Sequence, residues 1–342
     1  METISLGKTG ITVKKLGFGA MYLTRITPEE SDRLLNRALD LGINYFDTAS
    51  AYMDSEEKLG RVLAQRRAEC IITSRSVSWK AGIEEFKKDF EQSFKRLQTD
   101  VINFYGFHAV NQPPELEMAL KGPLGFLQEA RTAGRIRHIA ITGHNPVTLT
   151  EALKTGAFEM VMFPFNVIER EALQTLITTA NQMGVATSIM KPLAGGVIES
   201  KAPALRFFLN HPIDVITPGM MSLEELEENF RVINEGRPLS PEELGKLEEE
   251  VKELGKEFCR RCSYCMPCEK GIMIPFVHML HMKCYGKEMN DDVAYTLQLA
   301  KRMMPQLEAC DACGTCMEKC PYHIPTSQRV QELLEVLKGQ EK

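Results

Sequence analysis

Eight short, apolar, β-rich runs, each followed by an amphipathic helical stretch, constrain this chain more than any other feature of it. The runs are KLGFGAM (15–21), INYFDTA (43–49), CIITS (70–74), VINFYGFHA (101–109), RHIAITG (137–143), EMVMFPF (159–165), GVATSIM (184–190) and DVITPGM (214–220). Most lack the apolar-polar alternation of a half-exposed strand and read as strands buried on both faces. In the stretch between the first two, Thr27 and Glu30 predict a capping box, and Leu34, Leu35, Ala38 and Leu41 form the apolar stripe. Gly42 is expected to end that helix in a left-handed conformation. Eight such units over roughly 220 residues predict an α/β fold of the (β/α)8 TIM-barrel type. A doubly wound open sheet would have fewer strands and a glycine-rich phosphate loop, which LGFGAMYL matches only weakly. Ahead of the barrel, Met1–Val13 predicts a hairpin with Lys8–Gly10 at its turn.

Past Pro238 the pattern changes. SPEELGKLEEEVKELGKEF predicts a charged helix with Ser240 as N-cap, leading into a cysteine-rich tail. The expected division is therefore a barrel over 1–238 and a helical linker with a small C-terminal domain over 239–342. Eight of the ten cysteines fall in two tight runs. CRRCSYCMPC holds Cys259, Cys262, Cys265 and Cys268; CDACGTCMEKCP holds Cys310, Cys313, Cys316 and Cys320, followed by Pro321. The second run matches the bacterial C-x2-C-x2-C-x3-C-P signature, in which three thiolates wrap one four-iron cluster and the fourth serves the other. By that crossover one [4Fe-4S] cluster takes Cys259, Cys262, Cys265 and Cys320, and the other takes Cys310, Cys313, Cys316 and Cys268. Structural zinc also uses CxxC pairs, but the third close cysteine and the Cys-Pro ending favour iron and sulfur. The first run departs from the pattern, with a shorter last gap and Glu269 where proline is usual, which leaves Cys284 as the other candidate for the fourth ligand. Cys70 reads as a core thiol.

In a barrel, chemistry sits at the carboxyl ends of the strands. The polar residues there are Asp47, Tyr52, Arg75, His108, Thr142, His144, Asn166 and Lys191. In order along the chain, LGKTGITVKKLGFGAM, GINYFDTASAYMDSEEKLG, the strand ending in FHAV, FPFNVIE and TPGMMSLEELEEN are similar to the aldo-keto reductases. With CSYCMPC and CGTCMEKCPYHIP added, the chain resembles the subgroup of that family that carries a C-terminal ferredoxin-type 4Fe-4S domain of small, α-helical build.

The resemblance implies an oxidoreductase acting on a small carbonyl or alcohol with NADH or NADPH, coupled to electron transfer through two [4Fe-4S] clusters. It implies catalytic roles for Tyr52 as proton donor, His108 as the group that orients and polarises the carbonyl, and Asp47. Arg75 stands where the family has a lysine. A phenol of pKa about 10 is a weak acid at pH 7, and a nearby cation favours its ionised form, a role arginine can fill although it cannot give up a proton. For the cofactor the resemblance implies Thr142, His144, Asn166 and Phe163 or Phe165 around the nicotinamide. Gly219, Met220, Ser222 and Leu223 would lie at a helix N-terminus that attracts phosphate. The segment MMSLEELEEN carries no basic residue for a 2′-phosphate, so NADH is at least as good a candidate as NADPH, and a flavin stays open. A barrel that has lost its chemistry and serves as an electron-transfer or interaction scaffold is the alternative.

A net charge of −5 with dispersed Lys and Arg argues against nucleic acid as a partner, and no apolar run approaches the roughly 20 residues of a membrane span. The expected location is the cytoplasm, with a redox protein as the expected macromolecular partner.

Overall fold

The computed structural model describes residues 2–289 and 291–339. Met1 of the expected hairpin, Asn290 and residues 340–342 of the expected tail lie outside the described residues. The chain forms two compact units, Met1–Val251 and Lys252–Lys342.

In the first unit the hairpin pairs β1 (Thr3–Ser5) with β2 (Thr12–Lys14) in antiparallel register, Ile4 opposite Val13. Eight parallel strands follow: β3 (Phe18–Gly19), β4 (Tyr45–Asp47), β5 (Ile71–Ser76), β6 (Ile102–Phe107), β7 (Ile136–Thr142), β8 (Met160–Pro164), β9 (Ala186–Met190) and β10 (Val215–Thr217). Each pairs with the next in sequence, and parallel bridges Leu16–Ile216 and Gly19–Gly219 join the last strand to the first. The sheet thus closes into a barrel. The closure explains the glycines of LGFGAM: a Cβ at Gly19 would lie 2.7 Å from the carbonyl oxygen of Thr217. Gly19 makes room for a neighbouring backbone, and Gly17 for the side chains of Tyr45, Val215 and Thr217.

Leu6 and Val13 of the hairpin pack with Tyr45, Phe104, Ala140, Met160, Ala186 and Val215, one from each of six strands, in a fully or almost fully buried cluster. The amino end of the barrel is thereby plugged, which leaves the carboxyl end as its mouth. The surrounding helices begin as their sequences predict. Thr27 accepts from the Glu30 amide and donates its own N–H to the Glu30 carboxylate, a reciprocal cap. Ser240 and Glu243 do the same for the helix Pro241–Glu257. The first unit runs to Val251, inside that helix. Arg170 reaches Glu248 and the Ser200 amide reaches Glu250, which ties the middle of the helix to the barrel.

The second unit contains helices Ile274–Cys284, Asp291–Arg302, Met304–Glu308, Thr315–Glu318 and Thr326–Gly339. Val277, Leu280, Leu297, Leu307, Val330, Leu333 and Leu337 bury completely or nearly so among them, at roughly 1.5–3 kcal/mol per large side chain.

Candidate active site and cysteine cavity

The carboxyl half of β5 breaks the apolar rule, because Thr73, Ser74, Arg75 and Ser76 are all buried. A buried guanidinium has to be matched by acceptors. One terminal nitrogen of Arg75 donates to Asp47 Oδ1 at 2.5 Å and to the Thr48 carbonyl at 2.9 Å. The other donates to Asp47 Oδ2 at 3.2 Å and to Tyr52 Oη at 3.0 Å. The pair is ionic at neutral pH, since arginine keeps its proton and both carboxylate oxygens accept from it. Burial works against the Arg75 charge, but Asp47 and Tyr52 beside it hold its pKa above the ordinary arginine value. Burial likewise pushes Asp47 above the usual aspartate range while the Arg75 charge pulls it back.

Because a guanidinium can only donate, Tyr52 Oη is the acceptor in that contact and its own proton is directed elsewhere. The Tyr52 ring meets His108 edge to face, with centroids 5.7 Å apart. Burial first, then the charges of Arg75, Lys191 and Lys80, push His108 well below the ordinary histidine range, so its ring is neutral at physiological pH. Its Nδ1 is buried with no hydrogen-bond partner among the described residues. The four residues expected from the sequence therefore meet at the barrel mouth.

The expected cofactor residues divide. His144 is half-buried, with Nε2 2.6 Å from Lys191 Nζ and its amide donating to Asn111 Oδ1 at 2.7 Å. Thr142 Oγ1 accepts from the Ala109 amide at 3.2 Å and links the ends of β6 and β7. Asn166 corrects the expectation placed on it: it is fully buried and already engaged on both sides of its amide group. It donates to Glu169 Oε2 and the Lys191 carbonyl, and accepts from the amides of Ile168 and Glu169. No hydrogen-bonding capacity is left for a carboxamide. Phe165 is likewise committed, packed against Phe207, Phe208 and His211, and Phe163 is only 1% exposed. Neither ring presents a face for stacking.

After β10, Gly219 gives way to the Tyr22 ring, which a Cβ would approach to 2.1 Å, and Met220 is buried. Ser222 caps the helix Leu223–Asn234 by accepting from the Glu225 amide, and Glu225 in turn accepts from the Met221 amide at 2.9 Å. A carboxylate thus lies where the sequence reading places phosphate. The pattern Ser222-x-x-Glu225 was the signal for this cap, and it was present in the sequence.

In the second unit, Cys259, Cys262, Cys265 and Cys320 line one cavity, the set that the crossover spacing specifies. Cys316 and His278 reach its wall as well. Burial pushes the Cys259 thiol up to about 11, and burial together with Cys259, Cys262 and Cys320 pushes Cys265 up to about 12. Of the second set, Cys268, Cys310 and Cys316 pack against the helical core, while Cys313 is exposed. Cys284 is inside that core and donates its thiol to the Leu280 carbonyl at 3.0 Å, as a buried core thiol does. Among the described residues, no group of three or more His, Cys, Asp or Glu side chains stands ready to hold a single metal ion.

Beside the cavity, Arg329 donates to His278 Nδ1 at 3.2 Å, which leaves the ring proton on Nε2 for Thr326 Oγ1 at 3.0 Å. Burial, with Arg329 and His281 adding to it, pushes His278 down to about 3. Between pH 6.5 and that value the unfolded chain binds a proton that the folded unit does not, so stability falls as pH falls through the window. The expected slope is about 1.4 kcal/mol per pH unit, with no contribution above pH 6.5. Urea unfolding at pH 7, 6 and 5 checks it: the wild type should lose stability more steeply than His278→Gln, whose amide does not titrate, and parallel slopes would contradict the assignment.

The profile of the Aldo/keto reductase family matches residues 15–203. L-galactose dehydrogenase of Arabidopsis thaliana is 25% identical over 303 residues, which cover 74% of this chain and 93% of that protein. Aldo-keto reductase YhdN of Bacillus subtilis is 27% identical over 218 residues, covering 59% and 65%. In fold, the barrel is similar to aldo-keto reductase AKR11C1 from Bacillus halodurans in its holo form, with a TM-score of 0.62 at 22% identity over 73% of this chain and 96% of that one. No described helix is long and apolar enough to cross a membrane.

Proposed function

Since the chain belongs to the aldo/keto reductase family and is an oxidoreductase of that type, we propose that its barrel interconverts a small carbonyl and the corresponding alcohol with a nicotinamide dinucleotide, and that its tail carries electrons through two [4Fe-4S] clusters. The observation that carries the first half is the Asp47–Arg75–Tyr52 chain of hydrogen bonds ending edge-on at His108. When bound, the dinucleotide supplies or accepts hydride. The residues of this chain hold the oxygen that changes its charge. Tyr52, whose Oη accepts from Arg75, delivers its proton to the carbonyl oxygen as negative charge develops there, and neutral His108 orients that oxygen by hydrogen bonding. Arg75 supplies the fixed positive charge, with Asp47 holding its fork in the mouth.

At the cofactor loop, Glu225 already occupies the helix N-terminus, and the segment from Met220 to Asn229 has no cation. This favours NADH over NADPH, because the segment itself offers a 2′-phosphate no cation. We assign Gly219 and Met220 to the wall of that loop and His144, paired with Lys191, to the nicotinamide side.

For the tail, the support is the signature spacing joined to a cavity that four thiols of the crossover set share. Thiols arranged around a space suit a cluster, which has width, better than an ion that draws its ligands to one point. The donors are Cys259, Cys262, Cys265 and Cys320 for one group and Cys268, Cys310, Cys313 and Cys316 for the other. The functional division we propose is a reductase barrel followed by this electron-transfer unit.

The test is turnover by anaerobically purified protein with NADH or NADPH and a panel of aldehydes and ketones. The expected result is reduction of at least one class, with NADH bound about tenfold or more tighter than NADPH, a difference of about 1.4 kcal/mol. Absence of both turnover and dinucleotide binding would overturn the barrel half of the reading.

A further inference from the structure

Asp89 lies on the helix Ile83–Leu97, outside the barrel wall, and belongs to no motif. One of its carboxylate oxygens, Oδ2, nevertheless collects three hydroxyl donors: Ser50 at 2.6 Å, Ser78 at 3.0 Å, and Ser76. Ser76 is the residue after Arg75, and Ser50 lies between Asp47 and Tyr52. The Ser76 hydroxyl, besides donating to Asp89, accepts the Ser78 amide at 2.8 Å. Ser50 is also tied by its amide to the Arg75 carbonyl at 2.9 Å, and the Tyr52 amide closes a turn onto Ala49. One acceptor oxygen therefore sets the register between the loop that carries Tyr52 and the strand end that carries Arg75.

We propose that Asp89 is a positioning residue for the carbonyl reaction, holding Tyr52 Oη and the Arg75 guanidinium at their 3.0 Å contact through Ser50 and Ser76. The inference rests on the reading of Tyr52 as proton donor. Its physical basis is that displacement of a reacting group by about 1 Å costs on the order of a hundredfold in rate, while a loop shift that leaves the substrate pocket intact has little effect on binding. The effect should therefore fall on kcat and spare KM.

The experiment measures kcat and KM for Asp89→Ala, Asp89→Asn, the Ser50→Ala/Ser76→Ala pair and Tyr52→Phe, with folded fraction followed by circular dichroism. The expected results are a fall in kcat of about ten- to a hundredfold for Asp89→Ala with KM within about twofold. Asp89→Asn, whose Oδ1 still accepts hydroxyls, should regain most of it. The serine pair should match Asp89→Ala, and combining them should add nothing further, as for groups that act as one unit. Full kcat in folded Asp89→Ala, loss that is not rescued by asparagine, or loss that adds to that of the serine pair would each overturn the proposal. If Asp89→Ala fails to fold, the serine pair, which keeps the carboxylate, decides the matter by the same kcat-against-KM split. Tyr52→Phe separates the two readings: full activity there defeats the proton-donor role itself, whereas its loss beside a fully active Asp89→Ala defeats only the positioning role.

Discussion

Tyr52→Phe is expected to lower kcat for carbonyl reduction by about 10²–10⁴, the usual contribution of a positioned proton donor, with KM and the folded fraction little changed. The fold should tolerate the change because Tyr52 is only half-buried and its hydroxyl makes one contact with Arg75. The ring, which meets His108 edge to face, is retained by phenylalanine. Steady-state kinetics with whichever carbonyl proves a substrate, beside a thermal melt, gives both numbers. A fall in kcat at constant melting temperature supports proton donation. Unchanged kcat would mean that a group other than Tyr52 protonates the oxygen.

Arg75→Met is expected to have the largest effect on stability, about 3–5 kcal/mol, together with loss of activity. The pair it breaks is buried on both sides, with side-chain exposures of 2% for Arg75 and 6% for Asp47. Removing the cation leaves a carboxylate that water cannot reach, and this rather than the lost attraction makes the change costly. Making Asp47→Asn in the same chain should therefore recover part of the stability and none of the activity. Denaturant unfolding of the two single variants and the double variant measures it; equal and additive losses would show that the pair is not coupled. Arg75→Lys discriminates further. The fork of Arg75 serves Asp47 through both oxygens, the Thr48 carbonyl and Tyr52 at once, and a single ammonium cannot reproduce that spread. Activity should fall. A large gain would instead mean that arginine had diverted the barrel away from carbonyl reduction.

Much of this architecture could be read before the structure. Each barrel strand overlaps one of the eight apolar runs, because a strand buried on both faces leaves a continuous hydrophobic signature. Asp47, Arg75 and His108 were legible as polar residues at the ends of such runs, where the barrel opens. What was not legible is which strand-end residues face the mouth and which are taken up by their own loops. Asn166 follows β8 as Arg75 lies near the end of β5, yet the turn to Glu169 and the Lys191 carbonyl use its entire amide. Phe165 is drawn toward Phe207 and Phe208, more than 40 residues downstream, by contacts no local pattern encodes. The Glu225 cap was readable from Ser222-x-x-Glu225 but competed with the expectation of a phosphate site at the same atoms. Asp89 left no trace, since its three serine partners stand 39, 13 and 11 residues away.

The tail divides in the same way. Cysteine spacing specified two sets of four, and the cavity holds the first set together, whereas the choice between Cys268 and Cys284 depended on packing. Burial of Cys284 in the helical core, with its thiol on Leu280, favours Cys268.

The central claim, that a reductase barrel is joined to a two-cluster electron carrier, is tested most directly by iron and acid-labile sulfide analysis of the anaerobically purified chain, with its visible spectrum. The account predicts a brown protein with about eight irons and eight sulfides per chain, two four-iron clusters' worth. A colourless protein without iron, or one with about two zinc ions and no sulfide, would contradict it.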